Sequence, residues 1–185
     1  KSKDKPFFAY ISTNAPHGPY IAPKDKREKF KKLGFKSGDA GFYGMIENID
    51  DNVGRLMTKL KQWDLDENTL VIFMSDNGFA SLVINEKKLG QRNGEDLYSY
   101  QAGLRGYKKT PYEGGTLVPA FFRWKGKFKA GNKISGLSAH IDLFPTLVEL
   151  AGGEIQEKRD GRSLLPLLQN PQTKWNDRNL FFHIG

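Results

Sequence analysis

The sequence predicts an α/β fold with a mostly parallel sheet flanked by helices, and three observations carry that prediction. Short, continuous apolar runs recur at Pro6–Ser12 (PFFAYIS), Thr69–Met74 (TLVIFM) and Leu117–Trp124 (LVPAFFRW). Such unalternating runs are the mark of strands buried on both faces. A long amphipathic helix separates the first two. The order strand, loop, long helix, strand is the pattern of a parallel α/β unit.

Each element has its own warrant. Residues 13–38 are rich in Pro, Gly and Lys and read as a loop, with a short helix around Asp25–Lys32. Phe42, Met45, Ile46, Ile49, Val53, Leu56, Met57, Leu60 and Trp63 then recur at helical spacing. Asp39 is the expected cap of that helix, which should run about six turns and pack against a sheet. Residues 79–107 show no strong periodicity and read as a long loop excursion. Pro119 suits a strand start, a bulge or an edge. Ile134–Ala139 is a candidate fourth strand. Leu143–Leu150 is a helix with proline in its first turn, stopped by Gly152-Gly153. Residues 160–168 form a small apolar patch of turns. The chain thus divides into 6–78, 79–116, 117–168 and 169–185.

Composition bounds the function. The 185 residues suit one domain with a sizeable core. Basic residues number 29 and acidic ones 21, a formal +8, which favours anionic partners or a solvated lysine-rich surface. The lysine clusters at 24–32 and 125–133 are not interleaved with aromatics, and no nucleic-acid motif is present, so nucleic acid is not expected as a partner. There is no cysteine, which excludes a disulfide framework and a thiolate metal site within these residues. No apolar run is long enough to span a bilayer. The chain begins at Lys1 without Met and ends in an apolar run, and it reads as a piece of a longer polypeptide.

In open α/β sheets ligands gather beyond the carboxyl ends of strands. Three polar groups fall there. Ser75-Asp76-Asn77-Gly78 follows TLVIFM directly. An adjacent carboxylate and amide oxygen suit a hard cation such as Ca²⁺ or Mg²⁺, although local sequence alone favours an ordinary Asp-Asn-Gly turn. Asn14-Ala15-Pro16-His17-Gly18-Pro19 follows the first run. Its histidine is a general-acid or anion-binding candidate, and by itself a surface loop histidine. Gly106–Gly115 (GYKKTPYEGG) leads into the third run. Its paired glycines permit close backbone approach and its lysines can neutralise an oxyanion, or the stretch is simply a flexible basic loop.

In this order the segments PFFAYISTNAPHGPY, YGMIENIDDNVGRLMTKL, TLVIFMSDNG, LRGYKKTPYEGGTLVPAFF, SAHIDLFPTLVELAG and DGRSLLPLL resemble the sulfatase family of the alkaline-phosphatase-like superfamily, nearest the arylsulfatase type. The resemblance covers most of the chain and implies part of an alkaline-phosphatase-like sandwich. It implies that Asp76 and Asn77 are metal ligands for Ca²⁺ (or Mg²⁺). It implies that His17 contacts the sulfate and protonates the leaving oxygen, and that Lys108 binds the sulfate. Lys109 stands where arylsulfatases commonly have Gly, and Lys108 fits the family spacing. The implied parent is a sulfuric ester hydrolase acting on a sulfated small molecule or sulfated glycan, and periplasmic or secreted.

The family's formylglycine nucleophile, made from Cys or Ser in Cys/Ser-x-Pro-x-Arg, is not in this chain, nor is its acidic pair of metal ligands. In the family both lie upstream. These 185 residues alone are therefore expected to be inactive. The alternatives are a phosphodiester or phosphonate hydrolase of the same superfamily, a non-catalytic basic module that binds anionic glycans, and, on charge alone, a nucleic-acid binder.

Overall fold

A computed structural model of the chain describes residues 5–80, 88–98 and 103–182. The chain folds as two compact units, one from the described residues of 1–66 and 75–119, the other from those of 67–74 and 120–183.

The first unit is built on two helices, α1 (Lys24–Lys32) and α2 (Ser37–Gln62). α1 carries Asp25 in its first turn and Lys29, Lys31 and Lys32 in its last, which complements the helix dipole. Its lysines also face acidic residues of α2. Lys26 Nζ lies 3.0 Å from Glu47 Oε1 and pairs with Asp51, while Lys29 Nζ lies 2.9 Å from Glu47 Oε1. The hydrogen bond to Asp51, then that to Glu47, raises the Lys26 pKa. Hydrogen bonds from Lys29 and then Lys26 hold the Glu47 carboxyl below its ordinary range. Part of the first lysine cluster is therefore committed to internal ion pairs.

Beneath this network Ala40, Gly41, Gly44 and Met45 are buried. Gly41 admits the backbone of Tyr20 and Gly44 the Ala22 methyl. Tyr20, Phe30, Phe35, Phe42 and Tyr43 stack around them, with ring centroids 4.9–5.9 Å apart. Burial, and next the nearby Asp39 carboxylate, pushes the Tyr43 phenol up. α2 starts earlier than its apolar spacing predicts. Lys36 is its N-cap, and Asp39 lies in the first turn, where its charge still favours the helix start.

The excursion after residue 79 contains an element that periodicity misses. β2 (Lys88–Arg92) and β3 (Glu95–Tyr98) form an antiparallel hairpin closed by Asn93-Gly94. Both turn residues have positive φ, 52° and 83°, the backbone that an Asn-Gly hairpin turn supplies. Gln91 N–H donates to the Gly34 carbonyl and ties β2 to the α1–α2 connection.

The second unit pairs β1 (Val71–Met74) with β4 (Ala120–Arg123), from Val71 opposite Arg123 to Met74 opposite Ala120. Pro119 stands just before β4, a strand-start position that needs no ladder N–H. A 3-10 turn, His140–Asp142, leads into α4 (Leu143–Leu150), and α5 (Leu165–Gln169) buries Leu167 and Leu168.

Strand direction and extent depart from expectation. Both described pairs are antiparallel, not parallel. Residues 6–12 form no strand, and Ile134–Ala139 forms none either. Phe8 and Tyr10 are 75% and 83% exposed. An apolar run becomes a strand only where neighbours take its N–H and C=O groups, and residues 6–12 have no such ladder among the described residues. The α/β class holds in that the chain carries both helices and a partial sheet.

Candidate active site

The first unit contains all four sequence-predicted site residues, His17, Asp76, Asn77 and Lys108. Ser75–Gly78 is folded by its own side chains. Ser75 Oγ donates to the Asn77 carbonyl at 3.0 Å, and Asn77 N–H donates to Asp76 Oδ1 at 2.9 Å. Asn77 Nδ2 donates to the Gly78 carbonyl at 3.0 Å, which fixes the orientation of the amide. Asp76 Oδ2 and Asn77 Oδ1 have no hydrogen-bond donor among the described residues. One carboxylate oxygen and one amide oxygen are thus free, the donor type a hard cation takes. Ca²⁺ takes six to eight oxygens, so two donors would make only part of such a site. Among the described residues no three His, Cys, Asp or Glu side chains gather to hold a metal. The donors fit a hard cation in kind and are incomplete in number.

A backbone knot joins this turn to the 105–115 loop. Gly78 N–H donates to the Gly115 carbonyl and Phe79 N–H to the Gly114 carbonyl, at 3.0 and 3.1 Å. Lys108 N–H donates to the Phe79 carbonyl at 2.6 Å, and Gly114 N–H to the Arg105 carbonyl at 2.7 Å. The approach is so close that a Cβ on Gly78 would collide with the Gly114 carbonyl, and one on Gly114 with the Gly106 carbonyl. α3 (Glu113–Thr116) starts within the knot and buries Gly114 and Gly115.

Inside the loop Tyr107–Thr110 is a tight turn closed by Thr110 N–H to the Tyr107 carbonyl, 2.9 Å. Thr110 Oγ1 accepts from Tyr107 N–H and donates to its carbonyl. Lys108 and Lys109 occupy the two central positions. Lys108 is half-buried and its ammonium has no partner among the described residues, whereas Lys109 is exposed. Lys109 has φ of 73°, a left-handed conformation that suits glycine. Lys109→Gly is therefore expected to stabilise the chain by about 0.5–1 kcal/mol. A higher urea midpoint would show it, and a lower one would mean that the Lys109 side chain makes a favourable contact.

His17 sits apart from these bonds, exposed on its own loop. Its N–H donates to the Asn14 carbonyl, and its ring Nδ1 lies 2.9 Å from the Gly18 carbonyl. With the proton on Nδ1 that contact is a hydrogen bond, and Nε2 points away from the loop backbone for other chemistry. The loop is anchored by Tyr20, stacked edge-on to Phe42 at 5.5 Å. No hydrogen bond links His17 to Asp76, Asn77 or Lys108 among the described residues. The structure therefore brings Asp76, Asn77 and Lys108 onto one laced backbone and leaves His17 on a separate segment of the same unit.

Sequence reasoning assigns no role to Thr110, whose hydroxyl closes the turn, or to Arg105, whose carbonyl accepts from Gly114 N–H. The Gly106…Gly114 spacing, a glycine at each end of a short loop, is the signal that could have found them.

A family model described as Sulfatase matches residues 1–153. The uncharacterized sulfatase YdeN of Escherichia coli is 35% identical over 183 residues, 97% of this chain and 30% of that protein. The solved structure of Ps i-CgsB in complex with k-i-k-neocarrahexaose is similar with a TM-score of 0.75 and 32% identity, covering 91% of this chain and 35% of that one. A phosphonate monoester hydrolase from Silicibacter pomeroyi is similar with a TM-score of 0.55 and 25% identity, over 76% of this chain and 24% of that one. The chain spans about a third of the length of the proteins it matches. With the fold these neighbours share, it belongs to the sulfatase family, within the alkaline-phosphatase-like superfamily.

Proposed function

We propose that this chain is part of a sulfuric ester hydrolase, in which Asp76 and Asn77 help to hold a divalent cation and Lys108 and His17 act on the sulfate ester. The observation that carries the reading is the backbone knot, which sets two free oxygen donors and an unpartnered ammonium on one rigid frame. A Ca²⁺ or Mg²⁺ ion bound by such oxygens supplies charge neutralisation at the sulfuryl group. Lys108 adds a fixed positive charge where negative charge spreads over the sulfuryl oxygens. With Nδ1 turned to the Gly18 carbonyl, His17 has Nε2 left for proton transfer to the leaving ester oxygen. The nucleophile, a formylglycine in this reading, and the remaining metal ligands come from outside these 185 residues. A sulfated glycan is the favoured substrate class, supported by the likeness to a protein solved with a carbohydrate ligand. The parent is periplasmic or secreted in this reading, and among the described residues no helix is long and apolar enough to cross a membrane.

The test uses the whole parent polypeptide with a sulfate ester. Lys108→Ala is expected to lower kcat/KM by about 10²–10³-fold, the scale of losing one preorganised charge. Retention of near-full turnover would remove Lys108 from the mechanism. The likeness to a phosphonate monoester hydrolase favours a second reading, a phosphonate or phosphodiester hydrolase. Faster turnover of a phosphonate monoester than of the matching sulfate ester would select it. The 185-residue chain by itself is expected to show no turnover, and hydrolysis that disappears in Lys108→Ala would overturn that expectation.

A further inference from the structure

We infer that Arg105 and Tyr112 are positioning residues, a side-chain clasp that holds the turn presenting Lys108. The inference rests on the proposed role of Lys108. The Arg105 guanidinium lies over the Tyr112 ring, 3.8 Å from its centroid, and Arg105 Nη2 donates to the Tyr112 hydroxyl at 2.8 Å. Both side chains are exposed, and Arg105 has no carboxylate partner among the described residues. A solvated arginine with no acidic neighbour would ordinarily sample many rotamers. This one is held on two contacts to a residue seven positions away.

The clasp closes the loop at the place where its backbone closes. Arg105 C=O accepts from Gly114 N–H, and Gly106 and Tyr112 are in close approach. Between the clasped ends lies the Tyr107–Thr110 turn, which carries Lys108, and Lys108 N–H reaches the Phe79 carbonyl. Without the clasp the loop keeps its inner turn but loses a side-chain tie at its mouth. Lys108 would then sample a wider range of positions relative to the Asp76-Asn77 turn. Arg105 acts through Lys108 in this account and touches no reacting atom.

Two measurements test it. In the 185-residue chain, amide hydrogen exchange at Lys108 and Gly114 is expected to quicken about tenfold in Arg105→Ala and Tyr112→Ala, the scale of losing one cation–π contact and one hydrogen bond. Tyr112→Phe, which keeps the stacked ring and loses the hydroxyl, is expected to show a smaller rise. Exchange within α2 should stay unchanged in all three, which separates loosening of the loop from global unfolding. Unchanged exchange at Lys108 and Gly114 in Arg105→Ala would overturn the clasp, whatever the parent catalyses. In the parent polypeptide, Arg105→Ala should lower kcat/KM for the sulfate ester, with Arg105→Lys restoring part of it. It should have no further effect once Lys108→Ala is present. Additive losses would overturn action through Lys108. If the unsubstituted parent hydrolyses no sulfate ester, the proposed function fails and the exchange result alone decides the clasp.

Discussion

Asp142→Ala is expected to destabilise the chain by about 3–5 kcal/mol, the cost of breaking a buried ion pair from one side. Asp142 is fully buried and Arg178 is 6% exposed. Its carboxylate accepts from Ala139 N–H at 2.7 Å, from Arg162 N–H at 2.8 Å, and from both terminal nitrogens of the Arg178 guanidinium. Its own carbonyl accepts from Thr146 Oγ1, which in turn accepts from Leu164 N–H. One residue therefore ties together the 3-10 turn, α4, the segment before α5 and the stretch around Arg178. Removing it strands a buried guanidinium and two backbone N–H groups. Asp142→Asn keeps the shape and an acceptor oxygen and should cost less. Adding Arg178→Met to Asp142→Asn should recover part of the loss, because the orphaned charge is then gone.

The same group predicts an acid limb in the stability profile. Burial alone pushes the Asp142 carboxyl up, but the bonds from Arg178, Arg162 and Ala139 outweigh it and hold its pKa below the ordinary carboxylate value. A depressed folded pKa means that the stabilisation is complete above the unfolded value, about 3.9, and is lost as pH falls through the folded one. The urea midpoint of the unsubstituted chain should drop below about pH 4 more steeply than that of Asp142→Asn. Parallel profiles would remove Asp142 as a source of acid sensitivity.

Sequence reading succeeds here where the signal is local. The spacing of Met45, Ile49, Val53 and Leu56 finds α2, and Leu143–Leu150 is found with its bounds. It fails where the deciding contact is distant. α2 starts at Ser37, and in its first turns Gly41 and Gly44 fit against Tyr20 and Ala22, small residues that hydrophobic spacing does not register. Residues 6–12 have the composition of a buried strand, yet Phe7 and Tyr10 face solvent because pairing is a property of neighbours. Asp142 reads as a polar residue ahead of a helix, and its partner Arg178 lies 36 positions along the chain. The Asn93-Gly94 hairpin is a different miss, for its turn dipeptide is plainly written between two short segments. At the candidate site the chemical groups are legible and their geometry is not. Asp76-Asn77 can be read as donors, but that Asn77 turns its NH₂ to the Gly78 carbonyl depends on the folded turn.

Gly114→Ala is expected to cost about 3–5 kcal/mol and to abolish any activity of the parent polypeptide. A Cβ on Gly114 would collide with the Gly106 carbonyl and press on the Arg105 carbonyl, and both obstacles are backbone. No side chain can swing aside, so the loop itself must move. Moving it breaks the Gly114 N–H bond to Arg105 and strains that between Phe79 N–H and the Gly114 carbonyl. Overpacking at about 1–3 kcal/mol plus two backbone hydrogen bonds at about 1 kcal/mol each sets the magnitude. Gly78→Ala meets the Gly114 carbonyl from the other side and should cost a similar amount. The two losses should fall well short of additive, because either substitution opens the same contact. Urea denaturation of the two single variants and the double variant measures this, and full additivity would show that Gly78 and Gly114 report on separate contacts. The functional consequence separates these glycines from ordinary packing positions. Lys108 N–H is bonded to the carbonyl of the residue after Gly78, so prying the knot apart changes where Lys108 stands relative to Asp76 and Asn77. Lys108→Ala, by contrast, removes the charge and leaves the knot closed. Its urea midpoint should therefore stay within about 0.5 kcal/mol of the unsubstituted chain, while Gly114→Ala loses stability and activity together.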